Sequence, residues 1–169
     1  IIICPPSILE QWEQEIKRHT KQMKVLIYSG VDKESRKSRS HPGAMRLLHP
    51  KYIADADIIL VSFVALMSDL SHSEENRFAF QSTDGNRSSN LRKRKKYRVV
   101  PSPLLSIHFW RVCIDEAQRV EVTTTKAAKM ALKLNAEYFW AVSGTPIGHG
   151  KLQDLYGLFL FLGLAPFNN

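Results

Sequence analysis

At 169 residues and 44% hydrophobic content, the chain is long enough for one domain with a real core. No apolar run reaches the roughly 18 to 20 residues that cross a bilayer, so the sequence excludes a helical membrane span. A net charge of +8 favours a polyanionic partner, DNA or RNA, and the two cysteines, Cys4 and Cys113, sit in apolar runs without CxxC spacing, as small core residues of a reducing compartment do.

The opening Ile1-Ile2-Ile3-Cys4 reads as a buried strand already under way, with neither an initiator Met nor a secretory leader, and a segment of a longer protein is expected. Pro5-Pro6 stops the strand. Ser7 precedes Glu10 by the spacing of a capping box, and the helix it would open runs to about His19 with Ile8, Trp12 and Ile16 along one face. Trp12 is expected in the core. Residues 24–28 form a second strand closed by Ser29-Gly30. A polar stretch follows, with a basic helix or loop around 32–49. Residues 57–62 (DIILVS) are a third apolar strand and 63–70 a short helix.

Residues 71–98 are rich in Ser, Asn, Arg and Lys and poor in apolar residues, which predicts a long basic surface insertion without fixed structure. Order resumes at 99–108. Residues 109–114 (FWRVCI) are a strand that ends in Asp115-Glu116-Ala117-Gln118. Residues 124–135 look helical, and 138–142 (YFWAV) form a strand leading into Ser143-Gly144-Thr145-Pro146. Residues 152–162 make a very apolar helix stopped by Gly163. Near-continuous apolar strands alternating with helices predict an α/β fold, a parallel sheet with helices on both faces. Such sheets place ligands beyond the carboxyl ends of their strands, where the acidic box and the Ser-Gly-Thr-Pro turn both fall.

A carboxylate at a strand tip can hold a hydrated Mg²⁺, and an adjacent Glu can orient or deprotonate water for attack on a γ-phosphate. By itself an Asp-Glu pair is more often a solvated loop, and Ser, Gly, Thr and Pro are ordinary turn residues. The two together, at adjacent strand tips, are more specific than either. The histidines at 41, 49, 72, 108 and 149 lack metal-ligand spacing.

The segments CPPSILEQWEQEI (4–16), DIILVSF (57–63), IDEAQ (114–118), AVSGTPI (141–147) and LQDLYGLFLFLGLAPF (152–167) resemble consecutive motifs of the Swi/Snf-type DNA-dependent ATPases, in superfamily two of the helicases. They come in family order and cover most of the chain outside 71–98. The stretch PSPLLSIHFWRVCIDEAQRVE (101–121) is most similar to one group within the family, large helicase-like RING ubiquitin ligases that carry Gln at the position of Gln118 where most relatives carry His. The resemblance implies a three-layer RecA-like fold, here a partial first motor lobe within a longer polypeptide.

Carried over by position, Asp115 would bind Mg²⁺ through water, Glu116 would be the catalytic base or water-orienting residue, and Gln118 would link both to a coupling turn of Ser143, Gly144 and Thr145. ATP and Mg²⁺ would be the cofactors of the intact protein. Pro6 and Ser7, and the turn at Ser62 and Phe63, would contact a strand of DNA or nucleosomal DNA. For Ser7 the competing reading is a plain helix cap. The run 92–98, with Lys93, Arg94, Lys95 and Lys96, would bind DNA or act as a nuclear localisation signal, against the plainer reading of a solvated loop.

The implied whole is a nuclear DNA translocase of chromatin or repair, whose further domains would engage a ubiquitin-conjugating enzyme and a sliding clamp. Two cysteines cannot make a RING, so no ligase element lies here. The phosphate-cradling GxxxxGK[ST] is also absent: TPIGHGKL (145–152) has Thr145 for its first Gly and Leu152 for its Ser or Thr. The missing ATPase segments are therefore expected partners, and this chain alone is expected to be inactive. The alternative from another class is a non-catalytic, degenerate ATPase lobe that docks DNA or protein.

Overall fold

The computed structural model describes residues 1–40, 48–73, 100–146 and 154–166. Five strands form one parallel sheet: β1 (Ile2–Cys4), β2 (Val25–Tyr28), β3 (Ile58–Ser62), β4 (His108–Asp115) and β5 (Asn135–Val142). Their order across the sheet is β2-β3-β1-β4-β5, so the first strand is central and β4 and β5 complete one side. Every pairing is parallel, and each connection therefore crosses over the sheet, mostly through a helix.

The alternation of side chains along these strands sorts the core into two layers. On one face lie Ile3, Ile59, Val61, Val112 and Ile114, packed against α4 (Phe63–Asp69), α5 (Lys126–Ala131) and α6 (Asp154–Leu162) through Phe63, Leu66, Ala128, Met130 and Phe161. The opposite face carries Ile2, Cys4, Leu60 and Cys113, and α1 (Leu9–His19) covers part of it with Ile16. Ile3, Leu60, Val61 and Ile114 are fully buried, each contributing about 1.5–3 kcal/mol by leaving water. Helix α2 (Val31–Ser40) packs against α4, and α3 (Pro50–Ala54) against the 3-10 turn Pro103–Ser106.

Three local expectations are corrected. No capping box forms at Ser7: residues Pro6–Ile8 make a 3-10 turn, α1 starts at Leu9, and its first turn has no side-chain cap. The helix predicted over 124–135 ends at Ala131, and β5 begins at Asn135, earlier than the predicted 138. The physical reason is β4, whose eight residues offer a ladder from His108↔Asn135 to Asp115↔Val142, and pairing with it overrides local helix propensity. The predicted insertion at 71–98 loses its first residues to the fold, because Leu70–His72 form a 3-10 turn and Ser73 is buried.

The stem of that insertion is pinned by a buried carboxylate. Asp69 accepts from the Val31 amide at 2.9 Å, from the Tyr28 hydroxyl at 2.8 Å and from the Ser102 hydroxyl at 2.5 Å. The Ser102 amide donates to the His72 carbonyl at 3.0 Å, and His72 Nδ1 meets the Val100 carbonyl at 2.7 Å. The chain thus returns to where it left.

Candidate functional site

The carboxyl ends of β4 and β5 lie side by side, since Asp115 is in register with Val142. The step past β4 is sharp. Glu116 has φ 55° and ψ 51°, the left-handed region, which costs a residue with a side chain about 1–2 kcal/mol. A 3-10 turn, Ala117–Val120, follows and buries Ala117 and Val120 in the core. Burial of those two side chains and α6 packed behind the turn hold the strained backbone. Gly157 of α6 lies so close that an added Cβ would stand 2.0 Å from the Glu121 carbonyl oxygen.

The two carboxylates are held by different partners. Asp115 Oδ1 accepts from the Glu116 amide at 2.9 Å, and Oδ2 accepts from the Trp12 indole N–H at 2.8 Å. Glu116 Oε2 accepts from Gln118 Nε2 at 2.6 Å. Gln118 Oε1 in turn accepts from the Ser143 hydroxyl at 2.7 Å, and the Ser143 oxygen accepts from the Thr145 amide at 3.1 Å. Every donor in this series points toward Glu116, a run of bonds from the end of β5 to the carboxylate after β4. Donation onto a charged acceptor makes the last link the strongest.

Both Asp115 oxygens keep a lone pair beyond the bonds named, and the residue is half-buried with an open side. That suits a Mg²⁺ which keeps most of its waters and needs one carboxylate together with substrate phosphates. Among the described residues no cluster of three or more His, Cys, Asp or Glu could hold a metal by protein ligands alone.

Other predicted positions fare differently. Trp12 is not a core residue: it is half-buried and its ring edge reaches Asp115. Pro6 and Ser7 are exposed at the carboxyl end of β1, free of any capping role. The Ser62 hydroxyl caps α4 by accepting from the Ala65 amide at 3.2 Å. Phe63 is 2% exposed, which removes its ring from any contact with DNA and leaves the backbone there as the available group. Arg119 lies over that ring, 5.4 Å from its centre, tying the acidic turn to the start of α4. Gly144 is exposed and a side chain there would meet nothing within 4 Å, so packing does not demand its glycine. Lys93, Arg94, Lys95 and Lys96 lie outside the described residues.

Sequence reading missed the Trp12 bond and the left-handed Glu116. A Trp on a helix face looks apolar whether or not its N–H has a partner, and nothing in Asp-Glu-Ala-Gln demands φ > 0.

A five-stranded parallel sheet layered with helices, its acidic box at a strand tip, defines a RecA-like lobe of the kind found in Swi2/Snf2 ATPase cores. The family model of the SNF2-related domain matches residues 1–169, and the chain belongs to that family. It is 40% identical over 169 residues to the E3 ubiquitin-protein ligase SHPRH of Homo sapiens, covering 99% of this chain and 9% of that protein. Against the DNA repair protein RAD5 of Gibberella zeae it is 29% identical, covering 100% of this chain and 13% of the relative. The chain thus spans only a small part of these relatives. Among solved structures, the Sulfolobus solfataricus SWI2/SNF2 ATPase core in complex with dsDNA superposes with a TM-score of 0.57 at 23% identity, over 95% of this chain and 24% of that one.

Proposed function

We propose that this chain is the part of a first motor lobe that handles Mg²⁺ and the attacking water in a DNA-dependent ATPase, a translocase of chromatin or DNA repair. The observation that carries the reading is the unbroken run Thr145–Ser143–Gln118–Glu116. Asp115 would hold the Mg²⁺ water shell. Glu116 would orient water toward the γ-phosphate. The run through Gln118 would report the state of that carboxylate to the turn after β5, and so couple hydrolysis to movement on DNA. Mg²⁺ would supply charge neutralisation on the transferred phosphate. Pro6 and Ser7, exposed at a strand tip, suit a backbone phosphate of DNA, as does the backbone at Ser62-Phe63.

The phosphate loop would come from other segments of the same protein, and the sheet offers them a place. Strand β5 stands at the sheet edge among the described residues, with Tyr138 and Trp140 exposed. Trp110 packs edge-on against Tyr138 at 5.0 Å, and the Arg111 guanidinium lies 4.4 Å from the Trp140 ring centre. Beside them a groove of about 620 Å³ opens on the face that α1 leaves uncovered. Exposed apolar edges of this kind call for a covering element. Ubiquitin-ligase activity, with a ubiquitin-conjugating enzyme and a sliding clamp as partners, would belong to other domains of a nuclear protein.

The test is turnover. The full-length protein should hydrolyse ATP with DNA stimulation, Glu116→Gln should abolish turnover while ATP still binds, and the isolated 169-residue chain should show none. DNA-stimulated turnover that survives Glu116→Gln would sink the reading.

A further inference from the structure

Trp12 and Asp115 are 103 residues apart in sequence, and the 2.8 Å bond between them joins α1 to the tip of β4. The indole is half-buried, on the helix that covers part of this sheet face. A cavity of about 250 Å³ bordered by Ile8, Trp12, Glu15 and Asp115 runs along α1 to the same carboxylate. Among the described residues Asp115 has one other hydrogen-bonded tether, the amide of its neighbour Glu116, and that bond bears on Oδ1 alone. With Oδ1 pinned from the chain and Oδ2 pinned from α1, the plane of the carboxylate is fixed. Losing either bond frees the carboxylate to turn.

We propose that Trp12 is a positioning residue, whose indole N–H fixes the Asp115 carboxylate in the orientation that receives the Mg²⁺ water shell. The proposal rests on the reading of Asp115 as the Mg²⁺ position. An N–H on a carboxylate is charge-assisted, and it leaves a second lone pair on Oδ2 for a metal-bound water. The bond also makes the helix that follows Pro6 and Ser7 part of the support of the metal site.

The test uses the full-length protein and reads two quantities, the Mg²⁺ affinity of the protein saturated with a non-hydrolysable ATP analogue, by titration calorimetry, and the Mg²⁺ concentration for half-maximal DNA-stimulated ATP turnover. Trp12→Phe keeps an aromatic ring and removes the donor. A benzothienyl isostere of tryptophan at position 12 keeps the bicyclic shape and loses only the N–H. Both should raise the half-saturating Mg²⁺ by about tenfold, the worth of one hydrogen bond to a charged group, with turnover recovering at high Mg²⁺. Asp115→Asn should shift the Mg²⁺ dependence further. An unchanged Mg²⁺ dependence in the isostere, with Asp115→Asn still shifting it, overturns the role of Trp12 and spares the metal reading. A lower melting temperature and uniformly lower turnover without a Mg²⁺ shift marks Trp12 as structural and also overturns it. If Asp115→Asn itself leaves the Mg²⁺ dependence intact, the metal reading fails and the proposal with it.

Discussion

Ser143 and Gln118 are 25 residues apart in sequence, and the hydroxyl of the first donates to the amide oxygen of the second across 2.7 Å. Parallel pairing of β4 with β5 brings the two strand tips together, and the left-handed turn at Glu116 lets Gln118 reach both Ser143 and the carboxylate. Ser143→Ala removes the donor and leaves Gln118 Oε1 without this partner. The ratio of DNA-stimulated to basal ATP turnover in the full-length protein is expected to fall by about tenfold, the effect of one hydrogen bond. Steady-state turnover with and without duplex DNA checks it, and an unchanged ratio would remove the run from the coupling path.

Gly157 and Gly144 make opposite predictions. A Cβ at Gly157 would stand 2.0 Å from one backbone oxygen and 2.7 Å from another, so Gly157→Ala must push α6 off the turn behind the acidic box. A loss of about 1–3 kcal/mol or more is expected despite the better helix propensity of Ala. At Gly144 a Cβ meets nothing within 4 Å, and Gly144→Ala should stay within about 0.5 kcal/mol of the parent. Urea unfolding of the two variants should separate them clearly, and equal midpoints would mean that α6 does not pack as described.

The thiols should be inert in the folded chain. Burial first, and then the charge of Asp115, pushes Cys4 up to about 11, and burial raises Cys113 as well. At pH 8 the Cys4 thiolate fraction is therefore on the order of one in a thousand, and only the thiolate reacts. Alkylation by iodoacetamide is expected to be slow for both cysteines until urea unfolds the chain. Rapid modification of Cys4 under native conditions would contradict its burial.

Asp69 should make stability fall as pH rises from acid. Burial raises its carboxyl above the ordinary value of 3.8, more than the bonds from Ser102, Val31 and Tyr28 lower it. The folded state therefore binds the proton more tightly than the unfolded one. This contribution is fully present below the ordinary value of 3.8, which the unfolded chain keeps, and is lost as pH rises through the higher folded value. Asp69→Asn abolishes that slope. It also keeps one acceptor oxygen and puts an N–H donor where the other oxygen accepted, at a cost of about 1–3 kcal/mol at neutral pH. Urea midpoints of both proteins across acid to neutral pH test this. Parallel profiles would show that Asp69 does not titrate differently on folding.

Much of the fold was legible because strands and helices announce themselves locally. The apolar runs at 1–4, 57–62 and 109–114 became β1, β3 and β4 within a residue or two, and the helix after Pro6 ended at the expected His19. The misses lie where a distant partner decides. Asn135 became strand because β4 is long enough to pair with it, and Ser73 was drawn into the fold because its neighbour His72 anchors to Ser102 and Val100. Phe63 looked available beside Ser62, yet α4 turns its ring into the core.

The sequence alone determined the chemistry near the site: two adjacent carboxylates after an apolar strand, a neutral amide at Gln118, and hydroxyls after the next strand. Those are properties of side chains and short-range order, and they survive in any fold. Tertiary structure decided how the same groups are connected. The pairing of β4 with β5 joined Glu116 through Gln118 to Ser143, and the packing of α1 across the opposite face of the sheet set Trp12 on Asp115. Hydrogen bonds act over about 3 Å, whereas the sequence holds these partners 25 and 103 residues apart, so only a packed chain could choose them.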